Sequence, residues 1–523
     1  MQRVLSFALR GIDAVPIEIE CDEWFPSAGS GPSGGEGERR GARFVIVGLP
    51  DASVRESAQR VRAALGVCQL PFPKGSCTVN LAPADIRKEG PVFDLAIAVA
   101  LLRMQGVIGT ESDRRLDRFL IAGELALDGK IRPIRGATSM AVLARAHGLR
   151  GVILPAENAA EAAIVDGVET YGVSHLGEAV GFINDRLPLT AEPPPAGSTA
   201  AFGSIPDFQE IRGQESAKRA LAIAAAGGHN VLLIGPAGSG KTMMARALPA
   251  ILPPLGDAES LEVTRIHSVA GTIAAGTGLV RQRPFRSPHH SASAAALVGG
   301  GSIPRPGEVS LAHHGVLFLD ELPEFPRLAL ECLREPLEDG FVTISRASGT
   351  LRFPARVMLV AAMNPSHQGG FARSASERQA QERYIGRLSG PLLDRIDLHV
   401  EVRAVGFHAL RAARPGASTA ELRERVQSAR ERMTIRQGRD RPNATLRGKE
   451  LDVHCPLDAG AQGLLESAMQ DLRLSARAYD RIRRTARTVA DLEGAEAVLE
   501  AHVAEAIHYR ILDRLRTTTG GAA

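Results

Sequence analysis

Aromatic side chains are scarce: Phe, Tyr and Trp make up 4% of 523 residues, and Trp24 is the single tryptophan. With so few rings to stack on bases, a nucleic-acid partner would have to be held through its charged backbone. Cysteine is also sparse. Cys21, Cys68, Cys77, Cys332 and Cys455 are odd in number and none stands in a CxxC spacing, which argues against a disulfide framework or a thiolate zinc site and fits a reducing cytoplasm. No uninterrupted apolar run approaches the length of a bilayer span, and the first ten residues lack the apolar stretch of a secretory leader. A cytoplasmic protein with no membrane partner is expected. Neither sign of charge dominates: 62 Lys and Arg against 59 Asp and Glu leave +3, so partners must be sought in local charge.

The length exceeds what one hydrophobic core serves, so several domains are expected. Residues 26–43 are rich in Gly, Ser and Pro and read as an insertion without a core of its own. Residues 187–204, which contain Pro193, Pro194 and Pro195, read as a linker, and 517–523 as a loose tail. Before the linker, apolar strand-like runs at 44–47, 77–81 and 151–154 alternate with helical patterns at 52–65, 93–104 and 138–146, the signature of an α/β or α+β domain. After it, the short runs 231–234, 316–319 and 358–361 suit buried parallel strands. From about residue 405 the pattern turns helical and rich in arginine.

Gly235, Pro236, Ala237, Gly238, Ser239, Gly240, Lys241 and Thr242 satisfy GxxxxGK[ST] between a strand-like run and a helical stretch. Glycines there let backbone N–H groups turn towards phosphate oxygens, and the helix N-terminus adds positive potential. The motif predicts an ATP site in which Lys241 reaches the β- and γ-phosphates and the Thr242 hydroxyl ligates Mg2+. Downstream, four apolar residues after Gly315 lead into Asp320 and Glu321. Asp320 would share the Mg2+, and Glu321 would polarise the attacking water as the base.

With these motifs in view, residues 208–515 resemble an AAA+ ATPase of the helix-2-insert clade, closest to magnesium-chelatase-like proteins. Stretches 6–14, 47–51, 78–91 and 123–129, with 284–290, 299–308 and 344–346, extend the resemblance to the ComM/YifB family over almost the whole chain. The resemblance implies an α/β architecture. A Lon-protease-like, ribosomal S5 domain 2-like domain would occupy 1–186, a linker 187–207, the AAA+ P-loop core 208–404, a C-terminal helical lid 405–516 and a tail 517–523. It also implies roles: Asn364 as sensor 1, Arg395 as an arginine finger reaching a neighbouring subunit, and Arg477 as sensor 2. Guanidinium forks suit phosphate oxygens. A finger supplied between subunits implies a homo-oligomer, a hexameric ring in this family. The activity implied is ATP-driven branch migration of DNA in natural transformation and recombination. The alternative is a chelatase-like motor that remodels a protein or a metal-insertion partner.

The N-terminal domain is expected to be catalytically dead. Lon-type chemistry requires a serine activated by a lysine, but the stretch matching the serine, Gly90-Pro91-Val92-Phe93, has no hydroxyl, and the stretch matching the lysine, 134–139, has no lysine. Many relatives have a cysteine-rich stretch after sensor 1. Here 365–370 offers only His367, which cannot build a tetrahedral site, so no zinc is expected. Candidate contacts to single-stranded or branched DNA are Arg281, Arg283 and Arg286 in the insert, with Arg346 and Arg352 on a hairpin expected at 342–353. His289-His290 and His313-His314 read as hydrogen-bonding or interface residues, because neighbouring side chains rarely share one ion.

Overall fold

A computed structural model of the chain describes residues 3–25, 43–109, 116–195, 205–274, 276–301, 304–346, 349–365, 375–404, 416–472, 474–510 and 512. Most of the expected insertion at 26–43, residues 366–370 of the 365–370 loop with His367, part of the linker and the 517–523 tail lie outside these residues. Two compact units emerge: Met1–Ala200 with Ser260–Val280, and Ala201–Glu259 with Arg281–Ala523.

The first unit is built on a mixed seven-stranded sheet. Strands β1 (Arg3–Arg10), β2 (Asp13–Trp24), β3 (Phe44–Val47), β4 (Ser76–Ala82), β5 (Phe119–Ile121), β6 (Gly151–Pro155) and β7 (Glu169–Val173) lie in the order β3-β4-β2-β1-β5-β6-β7. Along β1, alternate side chains serve opposite faces, as the two-residue period of a strand requires. Val4 and Ala8 join one core with Val61 and Leu65 of α1 (Ala52–Val67) and Leu95, Val99 and Leu102 of α2 (Asp94–Met104). Phe7 joins the other with Met140 and Ala144 of α3 (Ala137–Ala146). Covered on both faces, β1 and β5 read as nearly continuous apolar runs, whereas β2 alternates.

A piece of chain from the second half completes this unit. Helix α4 (Asp257–Ala270) runs into it. Leu261 packs on the Phe7 core, Arg265 pairs with Asp13 and donates to the Ile12 carbonyl at 3.1 Å, and the Ser268 hydroxyl donates to Glu161. These partners are remote in sequence, so a reading along the chain assigns 260–280 to the stretch that surrounds it.

The second unit carries a five-stranded, fully parallel sheet. Its strands are β8 (Val231–Ile234), β9 (Phe285–Arg286), β10 (Val316–Leu319), β11 (Met358–Met363) and β12 (Leu398–Glu401), in the order β9-β10-β11-β8-β12. All four side chains of β8 and of β10 are buried. Helix α5 (Glu215–Gly227), and α6 (Lys241–Ala247) at the mouth of the P-loop, pack on the sheet through Leu221, Ile223 and Met244. The expected hairpin is present as antiparallel strands Phe341–Arg346 and Gly349–Pro354, with Arg346 level with Gly349. C-terminal helices α7 (Thr419–Gln437), α8 (Ala459–Asp471), α9 (Ala476–Glu493) and α10 (Glu500–His508) follow. Helix α7 opens on a reciprocal Ser418–Glu421 capping box and buries Leu422, Val426 and Met433 in the core shared with the sheet. Among the described residues, no helix is long and apolar enough to cross a membrane.

Candidate active site at the strand ends

In an open parallel sheet, the loops leaving the carboxyl ends of the strands converge on one edge. Here β8 leads into Gly235, β10 into Asp320 and β11 into Asn364, and the register sets Ile234 beside Met363 and Leu319 beside Ala361. The P-loop needs its glycines. A Cβ on Gly235 would stand 2.0 Å from the Val402 carbonyl oxygen. Gly238 and Gly240 turn through φ of +75° and +89°, a left-handed region costly for side-chain-bearing residues.

Lys241 is buried at the start of α6. Its ammonium donates to the Gly235 carbonyl at 2.7 Å, the Pro236 carbonyl at 2.8 Å and Asn364 Oδ1 at 3.3 Å. Burial lowers its pKa, and the carboxylates of Asp320 and Glu321 act in the opposite direction. The Thr242 hydroxyl donates to Asp320 Oδ2 at 2.9 Å, while Asp320 Oδ1 accepts from the Glu321 amide at 3.0 Å. One hydroxyl and one carboxylate side by side form the hard oxygen set that suits Mg2+, and a buried lysine on a glycine loop suits phosphates. These residues therefore fit Mg2+ and a nucleoside triphosphate. Glu321 departs from its strand in a left-handed conformation, φ 52°, with its carboxylate 3.2 Å from His290 Nδ1.

The structure thus brings Lys241, Thr242, Asp320, Glu321 and Asn364 together. Arg395 and Arg477 make their bonds elsewhere in the chain. Arg395 pairs with Glu338 and donates to the Pro391 carbonyl at 2.7 Å. Asn230, just before β8, fixes the surrounding turn, donating to the Arg395 carbonyl at 2.8 Å and accepting from the Leu359 amide at 2.8 Å. Arg477, two-thirds exposed, lies 3.7 Å from Asp394. One turn further along α9, Arg481 reaches the buried Asp397 at 3.4 Å. Burial alone would raise the Asp397 carboxyl, but His229, Arg481 and Arg484 together hold it down at about 2.

The five candidate DNA-facing arginines differ in placement. Arg283 is largely but not fully buried, donating to the Pro253 and His314 carbonyls at 2.6 Å each and pairing with Glu259. Arg286 forks onto Glu308 at 2.7 and 2.8 Å. Arg281 is half exposed and pairs with Asp257 at 2.6 Å. Arg346 is exposed at the strand end, and Arg352 lies 3.7 Å over the Phe341 ring. Nothing local in the sequence separates Arg283 and Arg286 from Arg281, because their partners lie 22 to 31 residues away. Asn230 and Glu338 had no motif to announce them; His290 lies in the 284–290 stretch, where it is expected only to hydrogen-bond or serve an interface.

A P-loop, a strand-end Asp-Glu pair and a third strand-end Asn on a parallel sheet define a nucleotide-hydrolysing P-loop protein of the AAA+ type. Family models agree. Magnesium chelatase, subunit ChlI, matches residues 207–410; subunit ChlI of Mg-chelatase matches 37–158; and the ChlI C-terminal model matches 416–510. The chain is 44% identical to the competence protein ComM of Haemophilus influenzae over 478 residues, 90% of this chain and 92% of that protein. It is 43% identical to the uncharacterized protein YifB of Salmonella typhimurium over 516 residues, 97% and 96% of the two chains. The magnesium-chelatase 38 kDa subunit of Cereibacter sphaeroides is 26% identical over 346 residues, 59% of this chain and 92% of that subunit. The chain belongs to the ComM/YifB family of magnesium-chelatase-like proteins, and with it to an AAA+ class that uses ATP and Mg2+ and assembles into oligomers.

Proposed function

We propose that this protein is an ATP-hydrolysing ring motor acting on DNA, of the branch-migration kind. The observation that carries the reading is the Lys241–Thr242–Asp320–Asn364 cluster at the strand ends, in a chain that matches a competence protein over nearly its full length. Lys241 binds the terminal phosphates. Thr242 and Asp320 hold Mg2+, which supplies charge neutralisation at the phosphates. Glu321 takes the proton of the attacking water, and Asn364 senses the terminal phosphate or that water. Arg395 serves a neighbouring subunit's site in a hexamer, and Arg477 acts from the lid formed by 405–516, next to a core of 208–404. The protein works in the cytoplasm.

Residues 1–186 form the Lon-like domain, joined through the 187–207 linker and without proteolytic activity. The hydroxyl of Ser139, in the stretch where such chemistry would need a lysine, is buried and donates to the Ile12 carbonyl at 2.7 Å. Arg281, Arg346 and Arg352 are the arginines placed to follow a phosphate backbone without reading sequence. Arg283 and Arg286 shape the segment that carries them. The partial match to a magnesium-chelatase subunit favours a second reading, a motor that remodels a protein partner.

The deciding test is ATP turnover by the purified protein with and without single-stranded and four-way-junction DNA, with Lys241→Ala as control. Stimulation by DNA that vanishes in the variant is expected. Robust turnover indifferent to every DNA would overturn the DNA reading in favour of a protein partner.

A further inference from the structure

We infer that Asn230 is a positioning residue for Arg395, fixing the root from which that side chain reaches a neighbouring subunit's nucleotide; the inference rests on reading Arg395 as a finger supplied between subunits. Asn230 stands immediately before β8, the strand between β11 and β12. Its main chain and its side chain both bind the Arg395 segment. The Asn230 carbonyl accepts from the Asp397 and Leu398 amides at 3.0 and 3.1 Å, and its own amide donates to Asp397 Oδ2 at 3.2 Å. Nδ2 donates to the Arg395 carbonyl at 2.8 Å, while Oδ1 accepts from the Leu359 amide of β11 at 2.8 Å. A peptide C=O on one side and a peptide N–H on the other call for a donor and an acceptor at once. A carboxamide supplies both, and the two partners fix which way round it sits.

From the other side, Arg510 Nη1 donates to the Ile396 and Asp397 carbonyls at 2.8 and 3.2 Å. Every residue from Arg395 to Leu398 therefore has its main chain tied to Asn230 or Arg510. The Arg395 guanidinium is held more lightly. It donates to the Pro391 carbonyl at 2.7 Å and to Glu338, whose side chain is half exposed. A fixed root and an exchangeable partner at the tip suit a group that must be aimed at another chain.

The same strand keeps Arg395 from its own nucleotide. Asn230 and Gly235 stand at opposite ends of β8, roughly 16 Å apart along an extended chain. Lys241, Asn364, Thr242 and Asp320 gather at the Gly235 end. An arginine rooted at the Asn230 end is too short to span that length. One strand thus carries the chain's own phosphate loop at its carboxyl end and the finger it lends at its amino end.

The experiment measures ATP turnover and binding of a fluorescent ATP analogue for Asn230→Asp, Asn230→Ala, Arg395→Ala and Lys241→Ala. Each is tested alone and in mixed oligomers, made by co-expressing two variants under different tags and purifying on both. Asn230→Asp keeps the acceptor for Leu359 but turns a carboxylate oxygen on the Arg395 carbonyl. Asn230→Ala removes both bonds, so either variant carries the test if the other fails to fold. Alone, each should lose turnover at least about tenfold while analogue affinity stays within about twofold. Co-purified with Lys241→Ala, which keeps its own finger, each should recover to about a quarter of the parent turnover, the share of sites in a random ring that join an intact phosphate loop to an intact finger. Parent-like turnover in the Asn230 variants overturns the inference. So does a lack of recovery with Lys241→Ala where Arg395→Ala recovers, because Asn230 then acts within its own site. If Arg395→Ala alone keeps the parent turnover, or recovers none with Lys241→Ala, the reading of Arg395 as a finger fails instead.

Discussion

Lys88 in the first unit and Lys241 in the second make an instructive pair. Both are buried, both have a pKa lowered chiefly by burial, and both donate to backbone carbonyls, Lys88 to Pro83 and Lys241 to Gly235 and Pro236. What surrounds them differs. Lys88 faces a loop carbonyl with Asp85 as its nearby charge. Lys241 opens a helix behind two left-handed glycines and faces Asp320, Glu321 and Asn364. The same contrast separates the two units. In the first, buried polar groups satisfy one another or the main chain: Arg60 forks onto Asp94, and Asn158, Thr138 and Ser268 converge on Glu161. The second has such a network too, Arg436, Asn443 and Arg487 on Asp491, but adds a set of polar groups gathered at one edge of a parallel sheet. Burial and bonding to carbonyls do not distinguish a structural lysine from a working one; convergence with other functional groups does.

The sharpest way to break this comparison is to exchange the lysines for neutral residues. Lys241→Ala should reduce ATP turnover by two orders of magnitude or more while leaving thermal melting close to that of the parent. Lys88→Met should leave turnover unchanged and cost roughly 1 kcal/mol of stability through the lost hydrogen bond to the Pro83 carbonyl, read as a lowered melting temperature. If the two variants exchange phenotypes, the contrast fails.

Next in size is the first unit's buried ion pair. Burial raises the Asp94 carboxyl even though Arg60 binds both of its oxygens. Removing the carboxylate in Asp94→Ala leaves the largely buried guanidinium with only the Ser53 carbonyl, the Ser57 hydroxyl and the more distant Glu56 as partners, which should destabilise the unit by up to about 3–5 kcal/mol. Limited proteolysis should then open the first unit before the second.

Asp397 supplies the matching test in the second unit. Its carboxyl sits at about 2 in the fold against an ordinary 3.8. A depressed carboxyl stabilises the fold above its unfolded value, and the contribution is lost as pH falls from about 4 to about 2. Asp397→Asn should therefore cost about 2 kcal/mol at neutral pH, and the gap between the melting curves of parent and variant should close over that acid window. A gap that persists below pH 2 would assign the effect to packing.

The smallest effects should separate the arginines. Arg283→Ala should lower the melting temperature, because it removes the donor to two partly buried carbonyls and the pair with Glu259. Arg281→Ala, which removes an exposed pair worth at most ~1 kcal/mol, should leave melting unchanged and weaken DNA stimulation of turnover, most visibly at low salt.

Much of the nucleotide site was legible along the chain because its signals are local. Eight consecutive residues make the phosphate loop, and four apolar residues carry Asp320 to a strand end. The strands at 231–234 and 316–319, and the hairpin that brings Arg346 level with Gly349, are read from short-range patterns of the same kind. The partners of each arginine could not be read this way. Arg283 and Arg281 stand two positions apart in one composition, yet one is largely buried among carbonyls and the other half exposed. Nor did the chain order suggest that 260–280 completes the first unit, since Arg265 meets Asp13 across more than 200 intervening residues.

The sequence by itself determined the chemistry: a glycine loop that only a phosphate requires, a lysine and a threonine at fixed spacing behind it, and a strand long enough to deliver an Asp-Glu pair. Tertiary structure alone decided which of many arginines are internal struts, and that Asn230 ties the Arg395 turn to the central strand. The division has a physical cause. Backbone conformation and strand length follow from neighbours in the chain, whereas the pairing of long charged side chains and the register between strands follow from packing that only the closed fold defines.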